Sequence, residues 1–454
     1  MGKKTYAIDM VNGSIFKSIV AFVVPLILGN ILQLLYNAAD IIVVSRWAGS
    51  NAMASVGATG SLNALIVSLF IGLSVGSSVI VSRCCGARNG AGIHRAVHTS
   101  ILLGITAGIS AMIIGITFSG FILKLMGTPE GKVLDGAVLY MRIYFIGVPA
   151  SLVYNFGAAI LRAIGDTRRP LYILAFSGIV NVVLNLIFVI GFHMSVEGVA
   201  IATAVSNYVS AAAVIFALVR ADGAYRLNFK DLKFHKEELS GILKVGLPAG
   251  IQSSLFSISN TLIQSSVNSF GTAAIAGNAA AGNIEGFVYT AMNAFYQAAI
   301  TAVSQNYGAK NEKRVYKSFH VSLACVSVVG LVLGVLTAIF ARPLLGIYIT
   351  DSAEAIRLGI IRIIINGVPY FLCGIMEVQA GLLRGLGFST ASMVNSLIGA
   401  CGFRIIWVML ILPLNRTLEM LFICWPISWI VVITLHGMYY MIFKKKAIKK
   451  MYEA

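Results

Sequence analysis

The chain has 454 residues, of which 58% are hydrophobic and only 11% are charged, against about 25% charged residues in an average soluble domain. This composition excludes a water-soluble fold. Lys and Arg number 34 against 17 Asp and Glu, a balance that would indicate nucleic-acid binding on a soluble domain. Here the basic residues lie at the ends of apolar segments, so we expect contact with anionic membrane lipid and no nucleic-acid partner.

The apolar segments predict an all-α integral membrane protein, because about 20 apolar residues are needed for each bilayer-spanning helix. The first segment has no small-residue cleavage site and is a membrane span, not a signal peptide. Twelve spans are predicted at residues 16–45, 53–82, 96–122, 134–161, 170–192, 196–219, 240–268, 274–303, 316–341, 355–383, 388–412 and 418–443.

The distribution of basic residues predicts the orientation of these spans. Most of the Lys and Arg fall on the side that holds the N-terminus, from Lys3 and Lys4 to the run of lysines at 444–450. By the positive-inside rule, both termini are cytoplasmic in a multi-pass protein of the cell membrane. The six cysteines show no metal-ligand spacing and are interpreted as packing residues in a reducing compartment.

An internal repeat divides the chain into two halves. Pro25 is matched by Pro248 and Asn37 by Asn260, while LRAIG at 161–165 corresponds to LRGLG at 383–387. Six spans per repeat give both halves the same orientation, related by a pseudo-twofold along the membrane normal. The predicted domains are a cytoplasmic N-terminus (1–15), a six-helix lobe (16–219), a cytoplasmic linker (220–239), a second six-helix lobe (240–443) and a basic tail (444–454).

Several strings carry a resemblance to a known family: PLILGNILQLLYNAADIIVVSRWAG near the start, LRAIGDTRRP at 161–170, NVVLNLIFVIGFHMSVEGVAIATAVS at 181–206 and VGLPAGIQSSL at 245–255. They resemble the multidrug and toxic compound extrusion (MATE) family, and within it the DinF-type branch. The resemblance implies export of cationic or amphipathic compounds, driven by inward H⁺ or Na⁺ through alternating access. In that branch the fifth span carries a second acid, but this chain has Asn185 at the corresponding position. Asp40 would therefore have to act without a second carboxylate.

Asp40 is the most informative of three acids that lie well inside spans. A charge at the bilayer centre costs about 2.5 to 3.5 kcal/mol on insertion scales, so such acids are functional by default. Asn30, Gln33, Asn37 and Asp40 share one face of the first helix, and the fifth and sixth spans offer matching polar stripes. The predicted ion-coupling residues are Asp40, Asn37, Asn181, Asn185 and Thr203. The alternative is that Asp40 only locks helices together.

Glu285 and Glu377 are the other two acids. Glu285 heads a polar face that continues through Tyr289 and Asn293, and is predicted to face a cleft. An internal ion pair with Arg384 or Arg362 is the alternative for Glu377. The predicted substrate-binding residues are Glu285, Glu377, Tyr36, Gln33, Asn260, Met292 and Tyr296. If Na⁺ is the coupling ion, Asp40 or Glu285 is expected to be its carboxylate ligand.

No nucleophile, metal set or phosphate-binding loop is visible, so an enzyme is not expected. The predicted function is a monomeric secondary active antiporter for small cationic or amphipathic molecules, with no cofactor besides the coupling H⁺ or Na⁺. A flippase for a lipid-linked saccharide is the main alternative, and a passive pore is a weaker one. A flippase for pyrophosphate-linked lipids needs a basic cavity. In this sequence the basic residues cluster at the ends of the spans, and the charged residues predicted deep inside the spans are mainly acidic. None of the six histidines shows a zinc-like partner.

Overall fold

The structure is a computed structural model that describes residues 7–48 and 50–453. Lys3, Lys4 and Gly49 lie outside the described residues. Within that part of the chain, all regular secondary structure is helical, as the composition predicts.

The first half of the chain contains six long helices. Two of them have features that matter for the site. Helix α1 carries Pro25, and both α1 and α5 end in a π-helical turn, at Val44–Ala48 and Leu186–Gly191. The helices are α1 (Ile15–Ala48), α2 (Ser50–Gly86), α3 (Gly90–Leu125), α4 (Lys132–Ala163), α5 (Arg168–Gly191) and α6 (Val196–Val219).

The second half repeats this pattern with two breaks. The helices are α7 (Lys236–Asn268), α8 (Thr272–Gly308), α9 (Glu312–Ile339), the short α10 (Ala341–Tyr348), α11 (Ala353–Gly367), α12 (Tyr370–Gly385), α13 (Ser389–Leu414) and α14 (Leu418–Glu453). The axes of α11 and α12 are bent by 43° at their junction. Pro369 lies at this junction, and proline both removes a backbone donor and crowds the preceding turn.

Helix lengths and hydropathies agree with membrane insertion. Among the described residues, nine helices are long and apolar enough to cross a bilayer, and the bent pair α11/α12 raises this to ten. The remaining two predicted spans, 240–268 and 274–303, lie in α7 and α8. These helices are 33 and 37 residues long but rich in Ser, Asn, Gln and Gly, which lowers their hydropathy.

The helices form two compact units, Leu28–Leu243 with the residues up to Ile8, and Lys244–Ala454 with Asp9–Ile27. These bounds differ from the predicted lobes in two places. The segment Asp9–Ile27, which includes the start of α1, belongs with the second unit. Within this segment, the backbone carbonyl of Met10 accepts hydrogen bonds from Asn306 and Arg314. The predicted linker belongs with the first unit.

Side chains of α3 hold the linker in the first unit. His98 is fully buried, with Nδ1 2.7 Å from the carbonyl oxygen of His94 and Nε2 accepting from the backbone N–H of Asn228 at 3.0 Å. Arg95 donates to Glu238 at 2.5 Å. His94, His98 and Asp231 lie close enough together to hold a metal ion, a cluster that the sequence analysis did not foresee. Since backbone groups already occupy both ring nitrogens of His98, we interpret the cluster as a clamp on the linker.

Candidate functional site

Asp40 lies in the first unit, opposite a pair of buried amides on α5. Nδ2 of Asn185 donates to Oδ1 of Asp40 at 2.5 Å and lies 3.4 Å from Oδ1 of Asn181. Asn181 and Asn185 are 6% and 1% exposed, and Asp40 is partly buried. The structure thus brings together three of the five predicted ion-coupling residues, which we call the Asp40 cluster.

Two features distinguish the Asp40 cluster from an ordinary helix contact. Oδ1 of Asn185 is buried and has no hydrogen-bond partner in the described structure. Both helices change from α to π geometry just beyond the cluster, α1 at Val44 and α5 at Leu186. Single-turn π segments occur frequently at functional sites, and a buried unsatisfied carbonyl needs an explanation of its own.

Tyr140 of α4 also lies within electrostatic range of Asp40. Its ring stacks on Tyr144 with centroids 6.2 Å apart, and it is 7% exposed. The sequence analysis missed this residue, because a single tyrosine in an apolar span carries no periodic signal that separates it from packing aromatics.

The other residues predicted in the first unit do not join the Asp40 cluster by hydrogen bonds. The hydroxyl of Thr203 donates to the carbonyl of Val199 in its own helix at 2.9 Å. Gln33 and Asn37 are exposed. Tyr36 donates to the carbonyl of Ala175 at 3.1 Å and packs over Gly178, where a Cβ atom would lie 1.8 Å from the tyrosine ring. Tyr36 therefore joins α1 to α5, and a role in substrate binding stays a prediction.

Glu285 of α8 forms an ion pair with Arg362 of α11. Both carboxylate oxygens accept, at 3.1 Å from Nε and 2.6 Å from Nη2, and the two side chains are 8% and 13% exposed. Nη1 of Arg362 also donates to Asn278, whose amide donates to Gln264 at 2.8 Å. An arginine from a neighbouring helix therefore neutralises Glu285, and the prediction that Glu285 faces a cleft stays a prediction.

Glu377 of α12 differs from Glu285. It is partly buried and forms no ion pair or hydrogen bond within residues 7–48 and 50–453, although Tyr289 and Cys373 lie within electrostatic range. The alternative of a pair with Arg362 or Arg384 is wrong, since Arg362 binds Glu285, and Arg384 donates to the hydroxyl of Tyr296 and to Gln252.

Met292 and Tyr296, predicted to line a soft cleft, are 0% and 5% exposed. Met292 fills the space beside Gly330 and Gly374, and Tyr296 accepts from the buried guanidinium of Arg384. The structure gives both side chains a packing role inside the second unit.

The deep charges of the second unit are not mainly acidic, contrary to the sequence analysis. Arg384 and Arg404 are each 4% exposed, and neither pairs with a carboxylate in the described part of the chain. Arg404 lies in the middle of α13, where it contacts the predicted residue Asn260. Its position, well inside the predicted span 388–412, was the signal that could have revealed it.

Comparisons with known proteins agree with this architecture. A family model described as MatE matches residues 25–187 and again residues 248–410, so the same model fits both halves and supports the predicted repeat. The chain is 27% identical over 450 residues to the probable multidrug resistance protein YoeA of Bacillus subtilis (strain 168), covering 96% of each chain. It is 23% identical over 412 residues to the multidrug export protein MepA of Staphylococcus aureus (strain N315), covering 87% of this chain and 90% of that one.

A solved structure of a multidrug resistance MATE family transporter of the MOP superfamily, in an outward-facing conformation, superposes with a TM-score of 0.89 over 100% of both chains, at 23% identity. This likeness confirms the twelve-helix, two-lobe fold. The prediction of a multi-pass membrane transporter that is not an enzyme is confirmed by the family, whereas the DinF-type branch stays a prediction. With the family model matched over most of its length, the chain belongs to the MatE family.

Proposed function

We propose that this protein is a multidrug efflux antiporter that exports cationic or amphipathic compounds in exchange for an inward coupling ion. The Asp40 cluster carries the proposal: an acid inside a span, partly buried, with an amide donor and no cationic side chain paired to it among the described residues. An intramembrane carboxylate of this kind is a default candidate for an ion pathway. The names of the related proteins support multidrug export.

The coupling ion in this proposal is H⁺, with Na⁺ as the alternative. Asn185 can serve both states of Asp40, since Nδ2 donates to the carboxylate and the unsatisfied Oδ1 would accept from the protonated acid after the amide turns over. Na⁺ would instead need several oxygen ligands around the carboxylate, in a position that the amide N–H now occupies.

Substrate binding is assigned to Glu377 in place of Glu285. A cationic compound gains from a carboxylate only where no arginine already neutralises it, and Glu377 meets that condition while Glu285 does not. Tyr289 lies within electrostatic range of Glu377 and is 39% exposed, so an aromatic face is available to a flat cation.

The buried arginines favour one alternative, a flippase for a lipid-linked saccharide. Arg384 and Arg404 weaken the argument that the deep charges are acidic. Among the described residues, however, each guanidinium donates only to neutral side chains, and the two arginines have no hydrogen-bond partner in common. A pyrophosphate requires several converging basic groups, and we therefore keep efflux as the proposed function.

Transport in sealed vesicles, with pH and Na⁺ gradients imposed separately, tests the proposal. We expect a pH gradient, acidic on the side from which the ion enters, to drive accumulation of a cationic dye. Asp40→Asn should abolish this accumulation while leaving the protein folded, because the amide retains the shape but cannot titrate. Full accumulation by this variant would refute the role of Asp40, and transport without any opposing gradient would indicate a passive pore.

The proposal places the protein in the cell membrane as a monomer, with both termini in the cytoplasm and contacts to membrane lipid. It assigns no nucleic-acid partner. Labelling of single cysteines introduced at the tails, from each side of intact cells, would test the orientation.

A further inference from the structure

Arg404 lies at an irregular point of α13. The helix changes to π geometry at Leu397–Gly402, returns to α at Phe403–Ile406, and changes again at Trp407–Ile411. Arg404 is therefore in a short α segment between two π segments. Because π segments are rare and occur frequently at functional sites, their placement on both sides of a buried arginine marks this position.

The contacts of the Arg404 guanidinium are all neutral. Nε donates to Oγ of Ser428 at 2.9 Å, and the guanidinium lies 4.0 Å from the centre of the Trp425 ring. Nη1 reaches Oδ1 of Asn260 only at 3.5 Å, which is longer than the roughly 2.7–3.2 Å typical of an N–H···O hydrogen bond. No carboxylate within residues 7–48 and 50–453 pairs with Arg404, and the groups in electrostatic range are thiols and Tyr370.

A neighbouring arginine shows what this arrangement lacks. Arg362 lies 6.0 Å from the same Trp425 ring, but Glu285 neutralises it through two hydrogen bonds. Arg404 has the aromatic contact without the carboxylate. A buried charge without a counter-charge is expensive, and inside a membrane it usually marks a pathway or a binding site.

We propose that Arg404, with Trp425 and Asn260, binds the carboxylate of an amphipathic zwitterion. The proposal rests on the proposed efflux function, in which Glu377 binds the cationic group. A guanidinium presents parallel N–H donors that match a carboxylate. Asn260 is exposed, so a ligand can reach Nη1 by displacing this long contact, and the amide of Asn260 supplies a further donor.

The position of Cys373 links the two charges. Its side chain lies within electrostatic range of both Glu377 and Arg404. The groups proposed to bind the anionic and cationic ends of a substrate therefore both lie near one residue of α12. A compound with a carboxylate and a delocalised cation on one flat ring system fits this arrangement better than a simple cation.

Rhodamine B and its ethyl ester test the proposal, since they share one ring system and differ in a free carboxylate. Binding of each dye to the purified protein is measured by fluorescence anisotropy. We expect Arg404→Gln to weaken the binding of rhodamine B by about tenfold or more, which is the contribution of a hydrogen-bonded charge pair. The affinity for the ethyl ester should stay within about twofold of the parental value. Arg416→Gln removes an exposed positive charge from the same unit and serves as the control.

A second variant covers the case in which Arg404→Gln does not fold. We expect the parent protein to bind rhodamine B more tightly than its ethyl ester. Asn260→Asp changes an exposed side chain and places a carboxylate beside Arg404, so it should abolish this preference while retaining the arginine. Unchanged preference in Asn260→Asp, equal loss of both dyes in folded Arg404→Gln, or no binding of rhodamine B by the parent would each overturn the proposal. These measurements need no gradient, so failure of the coupling role of Asp40 would appear separately, in vesicle transport.

Discussion

The Glu285–Arg362 pair allows a strong test of how the second unit is built. Glu285→Gln would leave the Arg362 charge buried beside Asn278 and two aromatic rings, without a counter-charge. Removing one member of a buried pair costs about 3 to 5 kcal/mol. For a cooperatively unfolding unit of about 150 to 250 residues, such as the second unit, each kcal/mol lowers Tm by roughly 2 to 4 °C, so we expect a decrease on the order of 10 °C.

The assay is thermal unfolding of the purified protein in one detergent, followed by the fluorescence of a thiol-reactive dye or by loss of the monodisperse peak. The chain offers a matched control in Glu354 and Arg357, which form a similar pair at 2.7 Å with exposures of 54% and 65%. Exposed pairs contribute about 0 to 1 kcal/mol, so Glu354→Gln should leave Tm nearly unchanged. The double variant Glu285→Gln, Arg362→Gln should recover much of the lost stability, because no uncompensated charge remains.

An opposite result would refute this reasoning. If Glu285→Gln kept the parental Tm and instead weakened binding of cationic dyes relative to neutral ones, Glu285 would be an accessible substrate carboxylate, as the sequence analysis predicted. Arg362 would then have to be neutralised elsewhere.

Three further outcomes follow from single residues. Glu377→Gln should weaken binding of rhodamine B ethyl ester to the purified protein by about tenfold, with little change for a neutral amphipath, and equal loss of both would indicate packing. His98→Ala should expose the part of the linker that precedes α7, residues 220–235, to limited proteolysis, because the buried ring no longer holds Asn228. His193→Ala, at an exposed position, should not have this effect. Asn185→Leu should impair coupled transport nearly as much as Asp40→Asn, and normal coupling would show that the amide is dispensable.

Periodicity and composition were sufficient to predict the fold. The apolar segments located all twelve membrane helices to within a few residues at most ends, including α7 and α8, whose hydropathy is low. The spacing of Asp40, Asn181 and Asn185 also predicted a real contact, because helical steps of three and four fix which side chains share a face.

Pairing between distant helices could not be predicted in the same way. Glu285 and Arg362 are separated by 77 positions, and Glu377 was just as reasonable a partner for Arg362 on sequence grounds. The choice depends on helix rotation and on the bend at Pro369, which periodicity does not determine. Arg404 was overlooked for a different reason: counting charges along the chain assigned basic residues to span ends, although this one is mid-span.

The net charge moved in each transport cycle depends both on the coupling ion carried by Asp40 and on the charge of the exported substrate. If Asp40 carries a single H⁺ inward, export of a monovalent cation moves no net charge, and only the pH difference drives it, at about 1.36 kcal/mol or tenfold per pH unit. The same exchange with a zwitterion moves one positive charge inward, so the membrane potential adds about 2.3 kcal/mol per 100 mV.

We therefore expect a potassium–valinomycin potential, negative on the side that the ion enters, to increase accumulation of rhodamine B by up to about fiftyfold per 100 mV. The same potential should scarcely affect the ethyl ester. Asn185→Asp, which adds a second acid beside Asp40, should make export of the ester sensitive to potential if both acids release their protons in each cycle. Strong potential dependence for the ester in the unmodified protein would mean that a second ion moves in each cycle, with the unpaired Glu377 as its carrier, because Glu285 is already neutralised by Arg362.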